Sequence, residues 1–305
     1  MPYRTLAERD RAPRGARARL YTDALGVVYV VTFEDGSPPL RHRVYSAMDV
    51  SDGRGATEAG MVFRERLVAL APVTRTTPGL EPILDIAGEG ETLHTVHPER
   101  EQFPLPDALR RGLGGPLAAS AAATCIKDVL RGASHLFTAL EPPATPVLKP
   151  KGILLDGEGH ASLDPVYSVH PTFHPGSGEP GEFLPKDLDL LAPELLTSER
   201  PDERTFVFLA GQLLLRLLLG RSPFPVHGYD RVRALAEPRD ILIAVAREVP
   251  LPLYRVVLRA MTKEPSARIP GALALAAALE EATRELGVGD GRDVLADLAR
   301  GARRG

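Results

Sequence analysis

Lysine is almost absent from this sequence. Of 37 basic residues only Lys127, Lys149, Lys151, Lys186 and Lys263 are lysines, and none precedes Lys127. No chemistry that needs a lysine side chain can therefore reside in the first part of the chain. Cysteine is reduced to Cys125, which excludes an internal disulfide and makes a reducing, cytoplasmic setting the expectation. Long apolar runs are missing as well. The most apolar stretch, 206–219, contains Gln212 and Arg216 and is too short to cross a bilayer, so no membrane insertion is expected. The N-terminus carries Arg4, Arg9, Arg11, Arg14, Arg17 and Arg19 but no apolar segment behind them that would make a secretion signal. A net charge of −3 supplies no electrostatic reason for a nucleic-acid partner. No repeat, nucleophile elbow, Walker loop or zinc-ligand spacing is present.

What remains is an ordinary globular composition, 44% apolar and 25% charged over 305 residues, enough for one large two-lobed domain. The arginine, alanine, glycine and proline bias fits a high-GC bacterial genome. Residues 1–18 read as a flexible arginine-rich arm. A β-branched run at 27–31, a turn signal at 34–36 and a second strand at 40–45 form a hairpin. A helix over 60–70 places Phe63, Leu67 and Leu70 on one face, and two short strands flank 88–90. After Leu105 the pattern turns helical, with apolar residues at helical spacing from Ile126 to Leu140, a hairpin at 152–160 and an irregular stretch at 166–185. The run 206–219 is a central buried helix closed by Gly220. Helices follow at 253–261 and 270–287, then a tail with a short helix around 294–298 and basic coil. Strands first and helices after make an α+β protein with a small β-rich lobe and a larger helical lobe.

Four segments then appear in a meaningful order: LKPKGILLDGEGH at 148–160, LAPELL at 191–196, DERTFVFLAG at 202–211 with LLLGRSPF at 217–224, and AMTKEPSAR at 260–268. Together they resemble the C-lobe of bacterial serine/threonine protein kinases. The first half resembles that family more weakly, through LGVVY at 25–29, the strand at 40–44 and Phe63-Arg64-Glu65. The resemblance implies a kinase-like N-lobe over 19–97, a C-lobe over 98–287 and a basic tail over 288–305.

The same resemblance shows what is missing. Of the three glycines that cradle phosphates in the family, two positions hold Tyr21 and Asp23, and only Gly26 survives. The phosphate-gripping lysine falls on Arg43, whose planar head is not equivalent; Arg43 and Glu65 would either pair or remain two solvated surface charges. The catalytic aspartate falls on Val147, which cannot accept a proton, and the metal-binding asparagine falls on Gly152; Lys149 stays in place. The metal aspartate falls on Pro165. Asp164 lies one residue early, where an extended backbone turns its side chain to the opposite face, unless a bulge restores it. The aspartate that anchors the catalytic loop is Phe206. Glu194 and Arg268, by contrast, match the family's buried structural ion pair. His170 and His174 have i, i+4 spacing, but prolines at 171 and 175 work against a helix there.

The expectation is a degenerate kinase, a pseudokinase, working in bacterial signalling as a scaffold or allosteric regulator. Its partner would be another protein or a second copy of the chain. It would use no cofactor, with ATP bound weakly or not at all and Mg²⁺ without its ligands. The cleft is expected to be plugged by Tyr21 or Arg43, with Arg43 held by Glu65 or another acid, and 166–185 to be either an interaction loop or simple disorder. The alternatives are a divergent enzyme of the fold or a nucleotide-binding switch, using Asp164 or Asp156 with a metal.

Overall fold

The computed structural model describes residues 17–23, 26–32, 38–45, 58–89, 92–112, 115–140, 147–169, 190–196, 201–224 and 233–303. The strands are β1 (Arg17–Asp23), β2 (Gly26–Val31), β3 (Leu40–Tyr45), β4 (Asp85–Glu89), β5 (Thr92–Pro98), β6 (Gln102–Pro104), β7 (Ile153–Asp156) and β8 (Ala161–Leu163). The α-helices are α1 (Glu58–Thr76), α2 (Leu105–Gly112), α3 (Ala119–Leu136), α4 (Glu203–Leu219), α5 (Pro238–Val245), α6 (Leu251–Ala260), α7 (Ala272–Glu285) and α8 (Arg292–Arg303).

The first five strands form an antiparallel sheet in the order β1-β2-β3-β5-β4, with α1 as the only α-helix described among them. Helix α1 turns its stripe of Phe63, Arg66, Leu67 and Leu70 inward, an i, i+3, i+4, i+7 pattern, and the Phe63 ring meets Tyr45 of β3 edge-on at 5.4 Å. The chain leaving α1 joins the second lobe directly: Glu81 N donates to Leu163 O and Leu163 N to Gly79 O, at 2.9 and 2.8 Å.

The second lobe is helical around α4. That helix starts on a capping box, in which Asp202 accepts from the Arg204 amide and the Thr205 hydroxyl accepts from the Asp202 amide, satisfying N-terminal donors that would otherwise be orphaned. It ends at Gly220 in the left-handed region, φ 68°, where an added Cβ would lie 2.6 Å from Pro116 N. Between those ends nearly every side chain is buried, as a helix apolar all round requires. Cys125 on α3 is buried and its thiol is pushed up to about 12 by burial and by Asp128, so it is inert packing. Among the described residues no helix is long and apolar enough to cross a membrane.

Several elements are longer or additional relative to the sequence reading. The sheet begins at Arg17, inside the expected arm, and α1 reaches Thr76 through Pro72. Strand β6 pairs with β7, with Phe103 opposite Leu155. The tail is a full helix, α8, with Leu295, Leu298, Ala299 and Ala302 buried. Arg292 holds Asp128 of α3 through two contacts of 2.9 and 3.2 Å, Arg303 reaches Glu101 at 2.9 Å, and Arg111 of α2 donates to Ala302 O. The basic residues of the tail are the rivets of a strap across α2, α3 and the connection between the lobes.

Candidate functional site: a cleft whose charges are paired with one another

The inner face of β3 is built by alternation, with Arg41, Arg43 and Tyr45 all pointing the same way, and all three are buried. Opposite them on β5 stand His97 and Thr95, in register with Arg41 and Arg43. Two buried guanidiniums on a strand need counter-charges; Arg43 finds one across the cleft and Arg41 finds one in the connection between α1 and β4. Arg43 Nη1 donates to Asp164 Oδ2 at 2.6 Å. Asp164 Oδ1 accepts from Val166 N at 3.1 Å and so caps the 3-10 turn Pro165–Ser168. Burial opposes ionisation of Asp164, but the charge of Arg43 and the Val166 amide outweigh it and hold the carboxyl below its ordinary range.

Arg41 spans from β3 to the interlobe connection. Its Nη2 reaches Glu81 Oε1 at 2.5 Å, Gln102 Oε1 at 2.8 Å and Pro98 O at 3.5 Å. Burial pushes Glu81 above the ordinary carboxylate range despite Arg41, and Glu81 Oε2 has no hydrogen-bond partner among the described residues. His97 sits between Pro82 O (3.0 Å from Nδ1) and the Thr95 hydroxyl (2.9 Å from Nε2). Because a carbonyl only accepts, Nδ1 carries the proton and Nε2 accepts. Burial drives its pKa down to about 3, so the ring is neutral at pH 7. Tyr45 OH shares the same Thr95 hydroxyl at 3.0 Å, and burial raises its phenol.

Below this layer lies the segment matched to the kinase catalytic loop. Val147 and Lys149 are buried. Gly152 has no room for a side chain: a Cβ would lie 2.7 Å from Tyr167 Cδ2. The Tyr167 ring, itself buried, also stands 5.8 Å from the Arg43 guanidinium carbon. One aromatic ring thus separates the position matched to the gripping lysine from the position matched to the metal asparagine.

Three expectations need correction. Glu65 does not pair with Arg43; it is exposed, because the inward stripe of α1 runs through Phe63 and Arg66, and Glu65, one residue before Arg66, is rotated about 100° away from it. Asp164, not Pro165, brings its carboxylate into the cleft, since the 3-10 turn that begins at Pro165 ends the extended geometry on which the opposite-face argument depended. Asp156 is a turn residue, its Oδ1 accepting from the amides of Glu158 and His160. Gly26 lies opposite Asp23 in the β1–β2 hairpin. The side chains of Tyr21 and Asp23, the pair His170 and His174, and most of 166–185 lie outside the described residues. Sequence reasoning missed Arg41, Glu81, His97 and Tyr167. The alternation of β3 was a usable signal for Arg41, which must share the face of Arg43; Tyr167 reaches Gly152 through the 3-10 turn, and no local pattern announces that. Asp164 has no companions for a metal array: among the described residues no three His, Cys, Asp or Glu side chains converge.

In the helical lobe Arg268 holds Glu194 with two contacts of 2.5 and 2.8 Å. Its remaining donors go to the carbonyls of Thr262, Lys263 and Arg204, and its guanidinium carbon lies 4.8 Å from the centre of the Phe208 ring. Burial opposes the Glu194 charge, and hydrogen bonds from Arg268 and Thr205 overcome it, keeping its pKa low. Phe206 is fully buried and packs edge-on against Phe137 at 5.5 Å.

No protein-family model and no curated protein matches the sequence. Solved structures do match. The chain resembles the crystal structure of the Mycobacterium tuberculosis PknI kinase domain with a TM-score of 0.59 at 16% identity, over 87% of this chain and 93% of that one. A second crystal structure of the same domain gives the same TM-score of 0.59 at 16% identity, with 88% and 94% covered. With the two-lobed architecture, the Glu194–Arg268 pair and the ordered segments of the helical lobe, these likenesses lead to one conclusion: the chain has a bacterial protein kinase-like fold.

Proposed function

We propose that this protein is a pseudokinase, a kinase-fold protein that does not transfer phosphate and works by binding a protein partner, as a scaffold or allosteric regulator in bacterial signalling. The observation that carries the reading is the Tyr167 ring packed on Gly152. Phosphoryl transfer is almost entirely positioning and electrostatic stabilisation. Here Tyr167 fills the space at the position matched to the metal asparagine, and Val147 stands at that of the proton acceptor. The cation and the acid of the cleft neutralise each other through Arg43 and Asp164. The fold's structural pair, Glu194–Arg268, is intact. Loss of the chemistry beside retention of the scaffold favours a binding role.

The test is incubation of the purified chain with Mg²⁺-ATP. The expected result is no phosphate incorporated and a melting temperature unchanged by ATP or ADP, although a bound ligand at 100 times its Kd would stabilise by about 2.7 kcal/mol. Phosphate transfer that disappears in Lys149→Ala would sink the reading.

The presence of Asp164 in the cleft favours one second reading, a divergent enzyme or nucleotide switch that places a metal on Asp164. A metal there would share the carboxylate with the Arg43 guanidinium on Oδ2 and the Val166 amide on Oδ1, and the adjacent guanidinium charge would oppose it. Metal-dependent ATP turnover lost in Asp164→Asn is the result specific to that reading.

A further inference from the structure

A cavity of about 300 Å³ opens between α2 and the second half of α4, near the lower limit of small-molecule sites, about 300–1,000 Å³. Its apolar wall is Leu105 and Leu109 from α2 and Leu213 and Leu217 from α4, and its charged groups are Arg110 and Arg216. Among the described residues no acidic side chain lines it. Arg216 is the only charged residue between Arg204 and Arg221. It is half-buried and makes no hydrogen bond or ion pair with any described residue. Arg110 has a weak local partner: its contact with Asp107, 2.9 Å, joins two side chains that are 71% and 47% exposed, an arrangement worth little in water. Beside the cavity the chain entering α3 is tied to the end of α4, since Leu117 N donates to Leu217 O at 2.8 Å and Gly220 lies against the Pro116 backbone.

A half-buried guanidinium without an acid, beside apolar walls and a second cation, is complementary to an anion that carries a compact apolar group. A carboxylate matches the planar fork of arginine with two parallel hydrogen bonds. We infer that this cavity is a binding site for an apolar carboxylate, with Arg216 as its principal anion contact and Arg110 closing over it. The carboxylate is that of a free branched-chain acid or of a peptide ending in an aliphatic residue. The inference is independent of whether the cleft transfers phosphate. A plainer role for Arg216 is complementing the carbonyl end of α4, where a cation is favoured. That role stabilises the helix and predicts no ligand.

The test uses the full chain and four probes: 4-methylpentanoate, its uncharged amide, the tripeptide Gly-Gly-Leu with a free C-terminus, and the same tripeptide amidated. Binding is followed through the arginine side-chain N–H signals by NMR. At least one carboxylate should bind saturably, with its amide about tenfold weaker or worse, the scale of one lost charge-assisted hydrogen bond. Arg216→Gln should lose about the same factor and Arg110→Gln less, both with cooperative melting retained. Binding of the free acid alone, or of the peptide alone, identifies the source and supports the site. Equal binding of acid and amide, wild-type affinity in Arg216→Gln, or no binding by either carboxylate at ~20 mM, well above a millimolar Kd, would overturn it.

Discussion

Replacing Arg43 by Met removes the cation and keeps the apolar length of the side chain. It leaves Asp164, 4% exposed at its side chain, with the Val166 amide as its remaining donor. Breaking a buried ion pair on one side costs about 3–5 kcal/mol, because the surviving charge stays desolvated. In a chain of 305 residues that corresponds to a melting temperature lower by about 5–8 °C. The sign of the pH dependence follows from the direction of the shift. In the native protein the Asp164 carboxyl titrates below its ordinary value; its stabilisation is therefore fully present above that ordinary value and lost as pH falls through the lower native one. In Arg43→Met burial is no longer outweighed, so the carboxyl titrates above its ordinary value and neutralises early on acidification. The penalty of the variant should be largest near pH 7 and shrink toward pH ~4. The double variant Arg43→Met/Asp164→Leu, with both charges gone, should recover most of the loss. Urea unfolding of the wild type, Arg43→Met, Asp164→Leu and the double variant at several pH values measures all of it. A single-variant penalty below about 1 kcal/mol, or one that does not change with pH, would refute the buried pair as the tie between the lobes.

Gly152→Asn, which places an asparagine at the position matched to the kinase metal ligand, should destabilise by about 1–3 kcal/mol through overpacking against Tyr167 and give no phosphate transfer; a stable variant would mean that the ring moves freely. Removing 290–305 uncovers the surfaces under Leu295 and Leu298, each worth about 1.5–3 kcal/mol of burial, so amide exchange should accelerate in α2 and β7 and not in β2; unchanged exchange would show that the strap is passive. His97 titrates at about 3 in the native protein and near 6.5 when unfolded. The unfolded chain binds the extra proton between those values, so His97 should subtract up to about 1.4 kcal/mol of stability per pH unit on acidification through that window, beside the contributions of its neighbours Arg41, Arg43 and Asp164. His97→Gln should flatten that slope, and an unchanged profile would argue against a buried neutral ring.

Much of the architecture was legible in the sequence because it rests on local physics. The β-branched run before a turn signal became β2, and its partner at 40–45 became β3. The capping residues before Phe206 and the glycine at 220 bounded α4 as propensity and capping require. Glu194 and Arg268, 74 residues apart, were paired by the order of motifs, and their geometry followed from the fold those motifs imply. Val147 and Gly152, matched to the family's catalytic positions by the resemblance, are identities that are read without coordinates. The partnership of the cleft was not readable. Whether Arg43 meets Glu65 or Asp164 depends on the rotational phase of α1 and on the backbone turn that starts at Pro165, and neither is set by the residues that form the contact. The same holds for Tyr167 over Gly152 and for Arg41 reaching Glu81. A charge on a strand states only that a counter-charge is needed. Which one arrives is decided by how two lobes, each folded on its own local rules, close on one another, and that is the part of this protein that only the tertiary structure determined.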